Sequence, residues 1–486
     1  MDPACGAPAA ADFTGGHSKQ DSIKRASTRE DSKQNSTERA TKRRNKADSP
    51  DSDAKQDASS NASPARSPGP APFYKLLEGM PLAVDAFKYG AIPGCRAYFL
   101  THFHSDHYVG LTSRWSHGPI YCSAITARLV QQRLRVASEW LHTLPMDEPV
   151  AIPASGGVQV TCIDANHCPG ACLMLFEGPR TGHAGAPRNF RYLHCGDFRA
   201  SPWQVAHPAV SGRKMDIIYL DTTYMDPRYC FPAQPDVIQA CAEFAAGDVQ
   251  QTATGAASSA LHQWLDGAQS GGGRSAPAHD GRPLILVGTY SIGKENLVKA
   301  LARRLGTRIY CLDASKYKTY QQLADPELDA LLTCDPLEAR VHVTNMFSLT
   351  VPALRTWVAT LRGRGMAVTR TLAFRPTGWS HGGGRAARLA VSPAQPLGTL
   401  LTSLEPPGFT TRGLTTSKDS TAEIQLYSVP YSEHSSFYEL MAFSISLPHA
   451  RIIPTMRAWT DLWTQEAQKR EREGLGPLPA RSPAFW

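Results

Sequence analysis

From Phe73 onward, short apolar runs alternate with polar stretches, and several runs stop at a histidine or an aspartate. Leu82 to Phe87 and Ala97 to Leu100 predict strands, with the turn Ile92-Pro93-Gly94 between them. Ile120 to Cys122 predicts a third strand, and Ala124 to Leu134 has helical spacing. Val158 to Asp164, Ala171 to Phe176, Phe190 to Leu193 and Asp216 to Leu220 continue the strand pattern. His167 follows the first of these, Asp197 the third and Asp221 the last. Strands that end on His or Asp predict a sheet edge where loops converge on a metal.

Residues 223–427 have a different texture. Pro235 to Ala245 and Glu295 to Leu305 predict helices, and Leu284 to Val287, Val341 to Val343 and Thr371 to Phe374 predict strands. That alternation predicts a second, α/β domain. Segments 250–281 and 382–400 are low in complexity and predict mobile insertions. Ile424 to Val429 predicts a strand, Tyr438 to Leu447 a helix and Arg451 to Pro454 a strand. Residues 1–70 are too poor in large apolar groups to offset their ordering entropy and predict a disordered tail; 459–486 predict a charged, peripheral helical tail.

The 486 residues suffice for two or three real cores. A membrane span needs about 18 consecutive apolar residues, which the sequence lacks, and its N-terminus lacks the apolar segment of a signal peptide. A net charge of +8 suits a polyanionic partner. Lys42 to Lys46 is a compact basic cluster that fits nuclear import, nucleic-acid contact or a solvated charge run; Ser49, Ser63 and Ser67 each precede a proline, a weak phosphorylation pattern. The 11 scattered cysteines read as reduced thiols, with Cys168 and Cys172 as core residues.

The densest chemistry lies in Thr101-His102-Phe103-His104-Ser105-Asp106-His107. Alternation on an extended segment would put His102, His104 and Asp106 on one side, with a turn bringing in His107. Imidazoles and carboxylates at this density suit two zinc-like metals better than one closed structural site. Hydrolysis of a phosphodiester needs an activated water and relief of added negative charge, which such a pair supplies. Gly288-Thr289-Tyr290-Ser291-Ile292-Gly293-Lys294 lacks P-loop spacing, but as a strand-to-helix turn it can hold a phosphate through its amides and Lys294.

The set H-x-H-x-D-H (102–107), His167, Asp197 and His434 resembles the ligand order of metallo-β-lactamases. Asp221-Thr222-Thr223-Tyr224, 288–294, Leu372-Ala373-Phe374-Arg375-Pro376-Thr377-Gly378-Trp379 and Tyr431-Ser432-Glu433-His434-Ser435-Ser436 are similar to motifs of the β-CASP nucleases of DNA interstrand cross-link repair. This group includes Artemis, Apollo and the Snm/Pso type, and the resemblance covers roughly 73–457. It implies an αββα metallo-β-lactamase sandwich, first at 71–222 and again at the return segment 428–458, with an inserted α/β β-CASP domain at 223–427. It also implies one or two zinc ions, the second position being open to Mg or Mn. His102, His104 and His167 would hold the first metal; Asp106, His107 and His434 the second; Asp197 would bridge. Asp106, His107, Asp197 and Asp221 would be catalytic, Asp85 supporting, and Tyr290, Ser291, Lys294 and Ser432 would bind a substrate phosphate.

The implied function is metal-dependent 5′→3′ DNA exonuclease activity on 5′-phosphorylated ends, in the nucleus, by a monomer whose tail can meet other repair proteins. Its alternatives are a structure-selective DNA endonuclease of the Artemis type and a non-catalytic DNA-repair scaffold. One departure is local: Met456 and Arg457 stand where the family has Val and Asn after Ile-Pro-Thr, which disfavours the RNA-acting pattern with His. No Cys/His finger precedes residue 73.

Overall fold

A computed structural model describes residues 69–179, 189–226, 229–247, 282–381 and 408–456. Lys42 to Lys46, the serines before prolines, the two insertions, Arg457, the C-terminal tail and all but the last two residues of the N-terminal tail lie outside them. Two sheets face each other. The first has the order β1 (Leu82–Val84), β2 (Ala97–Phe99), β3 (Ile120–Ser123), β4 (Leu141–Leu144), all parallel. The second orders β17 (His449–Pro454), β9 (Met215–Leu220), β8 (Asn189–His194), β7 (Cys172–Pro179), β6 (Gln159–Asp164) and β5 (Pro149–Ala151). Between them Val84, Phe99 and Tyr121 meet Cys162, Phe176 and Tyr219 in one apolar cluster. Phe99 lies 5.3 Å from Tyr121 and 5.0 Å from Phe176, ring to ring. Each such fully buried ring contributes about 1.5–3 kcal/mol over leaving it in water.

After β9 the chain builds a third, seven-stranded sheet: β12 (Leu332–Thr333), β11 (Arg308–Cys311), β13 (Ala339–Asn345), β10 (Leu284–Thr289), β14 (Thr371–Pro376), β16 (Ile424–Val429), β15 (Thr415–Thr416). Its strands are parallel except the edge pair β15–β16. Both faces are covered, as parallel sheets require. Leu284, Leu286 and Ala373 pack toward the helix Val351–Gly363, while Ile285, Val287 and Leu372 point into the large cluster on the other face. After β16 the chain returns to the second sheet, where β17 lies parallel to β9 with Ile452 opposite Ile218. This is the sandwich with an α/β insertion that the resemblance implies.

Several local expectations shift. The helix begun at Ala124 is α-helical only to Leu129; Val130–Leu134 forms a wider π turn, closed by Arg135 at φ 56°. The histidine segment is not extended as far as Asp106: Ser105–Tyr108 make one helical turn, so Asp106 and His107 leave the turn rather than alternate with His104. The helix Val351–Gly363 and strands β4, β5 and β11 were not read from the sequence. Among the described residues no helix is long and apolar enough to cross a membrane.

The fold sets every candidate ligand just past a strand end. Asp85 follows β1, His102 to His107 follow β2, His167 follows β6, Asp197 follows β8, Asp221 follows β9 and His434 follows β16. Gly196 makes the approach to Asp197 possible. It sits at φ 57°, and a Cβ there would lie 2.8 Å from Thr101 Cβ.

Candidate metal centre

Five histidines converge, and each has its outer ring nitrogen engaged. His102 Nδ1 meets Thr101 Oγ1 at 3.0 Å, and His104 Nε2 meets the Ile292 carbonyl at 3.3 Å. His167 Nδ1 lies 2.8 Å from the Glu433 carbonyl. His107 Nδ1 lies 2.7 Å from Asp85, and His434 Nδ1 lies 2.8 Å from Asp221. A donor hydrogen on each outer nitrogen leaves a lone pair on each inner one, the tautomer a ligating imidazole needs. Asp85 also accepts from Thr101 N at 2.9 Å and Thr101 Oγ1 at 2.8 Å.

The inner atoms gather. His104 Nδ1 is 3.0 Å from His102 Nε2 and 3.1 Å from His167 Nε2. Asp197 Oδ2 lies 3.1 Å from His107 Nε2, 3.6 Å from His102 Nε2 and 3.9 Å from His434 Nε2, midway between the two groups. Asp106 stands at the rim, 58% exposed, with Oδ2 3.4 Å from His107 Nε2. Three overlapping donor groups result, each with its ligand atoms within 4.8 Å of one another: His102, His104, His167 and Cys168; His102, His107 and Asp197; His167, Asp197 and His434. This donor chemistry fits metal ions of the zinc type.

Electrostatics separate the two halves. Burial holds the pKa of His102 and His167 well below the ordinary imidazole value and lowers that of His104, so these three rings stay neutral. Burial also works against charge on His107 and His434, but their carboxylate neighbours win. Asp197, Asp106 and Asp85 raise His107 well above its ordinary value, and Asp221 with Asp197 raises His434 to about 9. The second half therefore attracts positive charge, which protons supply when no cation does.

A pH dependence follows. A metal must displace the proton from His434 Nε2, so affinity at this position should rise with pH and level off above about 9. Stability of the metal-free protein should run the other way. A raised pKa contributes stability that is full below the ordinary value of about 6.5 and is lost as pH rises through about 9. Chelator competition for zinc across this range tests the first statement; a flat affinity profile would contradict it.

The expected phosphate-binding residues lie beside the centre with unequal exposure. Ser291 is exposed, Tyr290 half-buried, Lys294 and Ser432 buried. Lys294 is not a solvated first-turn lysine. At φ 72° it precedes the helix Glu295–Leu305, its Nζ pairs with Glu433 Oε2 at 3.2 Å, and its amide donates to Glu433 Oε1 at 2.5 Å. Lys316 Nζ braces the same loop by donating to the carbonyls of Tyr290 at 2.6 Å and Ser291 at 2.9 Å. Ser432 Oγ accepts from His434 N at 3.0 Å. Asp221 Oδ2 faces His434 Nδ1, while its other oxygen accepts from Thr223 N at 2.9 Å and Thr223 Oγ1 at 2.6 Å.

Sequence reasoning missed three contributors. Glu433 lies inside a motif already singled out, yet only its neighbours were assigned; its carbonyl orients His167 while its carboxylate holds Lys294. Cys168, read as a core cysteine, is buried but also brings its sulfur among His102, His104 and His167. Arg199, 2% exposed, donates to the carbonyls of Ser432 at 2.7 Å and Pro232 at 3.1 Å and pairs with Glu439 at 2.8 Å. It thereby ties the Asp197 loop to the His434 segment.

Residues 68–258 match the family described as "Beta-lactamase superfamily domain", and residues 326–459 the family described as "DNA repair metallo-beta-lactamase". The DNA cross-link repair protein pso2/snm1 of Schizosaccharomyces pombe is 37% identical over 421 residues, a match covering 83% of this chain and 66% of that protein. The DNA cross-link repair protein SNM1 of Arabidopsis thaliana is 38% identical over 406 residues, covering 84% of this chain and 70% of the relative. The 5′ exonuclease Apollo of Gallus gallus is 29% identical over 418 residues, covering 85% and 70%.

Proposed function

The chain belongs to the DNA cross-link repair branch of the metallo-β-lactamase superfamily, and from that premise we propose that it is a metal-dependent 5′→3′ DNA exonuclease that starts from 5′-phosphorylated ends and acts in the nucleus on interstrand cross-links. The observation that carries the reading is the convergence of five histidines and Asp197 on a shared set of inner atoms, with all five outer nitrogens committed elsewhere.

In this reading His102, His104 and His167 would hold a first metal and Asp106, His107 and His434 a second, with Asp197 available to both. One or two zinc ions would suit these positions, with Mg or Mn as options for the second. Bound there, the metals supply Lewis acidity toward a phosphoryl oxygen and lower the pKa of a water to about 7. Asp106, exposed at the rim, orients the attacking water. Ser291 and Tyr290 offer the surface of the 5′-phosphate pocket, and Lys294 and Ser432 form its floor. The charge of Lys294 is shared with Glu433, and the amides of Gly293 and Lys294 donate to Glu295 and Glu433, so Ser291 and Tyr290 carry more of the recognition than the ammonium. Remaining DNA affinity comes from phosphate contacts on a chain with net charge +8.

The test is digestion of 3′-labelled single strands bearing either a 5′-phosphate or a 5′-hydroxyl, with and without chelator. Products shortened stepwise from the 5′ end are expected. A charge-assisted phosphate contact is worth about 1.5–3 kcal/mol, so the phosphorylated strand should be cut on the order of ten- to a hundredfold better. Equal rates on the two ends, or internal cuts at duplex junctions, would replace the exonuclease assignment with an endonuclease. Chelator-resistant cleavage would remove the metal assignment.

A further inference from the structure

The motif 372–379 ends on an aromatic residue that the metal chemistry leaves unused. Trp379 follows β14, and in the parallel sheet β14 lies between β10 and β16. The carboxyl end of β10 carries the loop Tyr290–Lys294, and that of β16 carries Ser432 and His434. Ligands of open parallel sheets bind at the carboxyl ends of their strands, and Trp379 occupies that edge between the loop and the metal ligand.

Its surroundings hold it without covering it. The indole packs against Tyr224 at 4.8 Å between ring centroids, with planes tilted by 50°, and edge-on against Tyr229 at 5.3 Å. Tyr224 in turn lies 6.1 Å from the His434 ring. Trp379 nevertheless stays 53% exposed. The preceding turn is seated tightly on the site wall: a Cβ on Gly378 would lie 2.6 Å from Tyr224 Oη and 3.0 Å from Ser432 Cβ. A large aromatic ring held by two others, open to water and one ring removed from a metal ligand, has the properties of a stacking surface.

We propose that Trp379 is a stacking platform for an unpaired base of the DNA substrate, next to the nucleotide whose phosphate enters the metal centre. The proposal rests on the DNA-nuclease reading. Stacking on one aromatic ring tolerates any base, because every base presents a π-face. The platform therefore orients the strand end without selecting sequence.

The experiment compares wild type, Trp379→Ala and Trp379→Phe on two 5′-phosphorylated single strands. One is fully based; the other carries abasic residues at its first two positions. Metal content is matched first. Trp379→Ala should lose on the order of ten- to a hundredfold in kcat/KM on the based strand, mostly through KM, and less than about threefold on the abasic strand. Trp379→Phe should keep most of the wild-type preference. Equal losses on both strands, or none on either, would overturn the platform. Equilibrium binding of the same labelled strands in chelator gives the comparison without cleavage. A wild-type protein that binds the based strand preferentially but cuts nothing would count against the nuclease reading and leave the platform standing.

Discussion

His107→Ala should reduce DNA cleavage by at least about a thousandfold and also weaken the fold, whereas Asp106→Ala should cut activity comparably and leave stability near wild type. Loss of a metal's charge stabilisation costs several kcal/mol of barrier, and each 1.36 kcal/mol is tenfold. The two variants differ because of burial. Asp106 is 58% exposed and can be removed without stranding a partner. His107 lies against Asp85, a carboxylate only 1% exposed, and against Asp197. Removing one member of a buried pair costs about 3–5 kcal/mol. Asp85 keeps its two bonds from Thr101, which places His107→Ala toward the lower end of that range. Denaturant midpoints and cleavage rates, measured with metal content known, check both halves. Wild-type cleavage in either variant would sink the metal assignment. Equal stabilities would refute the account of Asp85. On the proposed reading, most DNA affinity should survive in both, carried by phosphate contacts away from the metals.

Arg199→Ala should be the most damaging change among residues that hold no metal. Its guanidinium fills one buried position with three partners, the carbonyls of Ser432 and Pro232 and the carboxylate of Glu439, and lies 5.0 Å from the Phe231 ring. Alanine leaves two carbonyls without that donor and Glu439 without its cation, a loss of about 3–5 kcal/mol. Because Ser432 and Glu433 sit on the freed segment, metal affinity should fall with stability. Arg199→Lys should rescue little, since one ammonium cannot reproduce the planar fork. Urea unfolding with and without zinc measures both effects. A loss under about 1 kcal/mol would show that the segment is held by Ser435 and Ser436 instead.

The candidate metal-binding residues were legible because they lie at strand ends, where an apolar run stops and a polar side chain follows. His102, His104, His167, Asp197 and His434 are all of this kind. The outline of the fold was legible for the same reason: β10 opens on the continuous apolar run Leu284 to Val287, as buried parallel strands do, and β14 and β16 are apolar at most positions. The π turn at Val130–Leu134 was not, because its residues keep the apolar spacing of an ordinary helix and differ only in the hydrogen-bond partner. Strand β4 is mostly exposed, so it lacks the apolar run that would announce it.

What the sequence determined by itself was the kind and order of the ligating groups, hence metal chemistry and family, because residue identity decides which atoms can bind a metal. Only the tertiary structure decided what orients each of them. His104 is oriented by the carbonyl of Ile292 and His167 by that of Glu433, at separations of 188 and 266 residues. Every residue has a carbonyl, so no composition or spacing could have named these two. Burial made the remaining choices. It made Lys294 the buried partner of Glu433, and it left Trp379 open where an aromatic residue would ordinarily be core. Whether a charge meets water or a counter-charge, and whether a ring meets solvent or a neighbour, depends on segments the chain brings together only on folding.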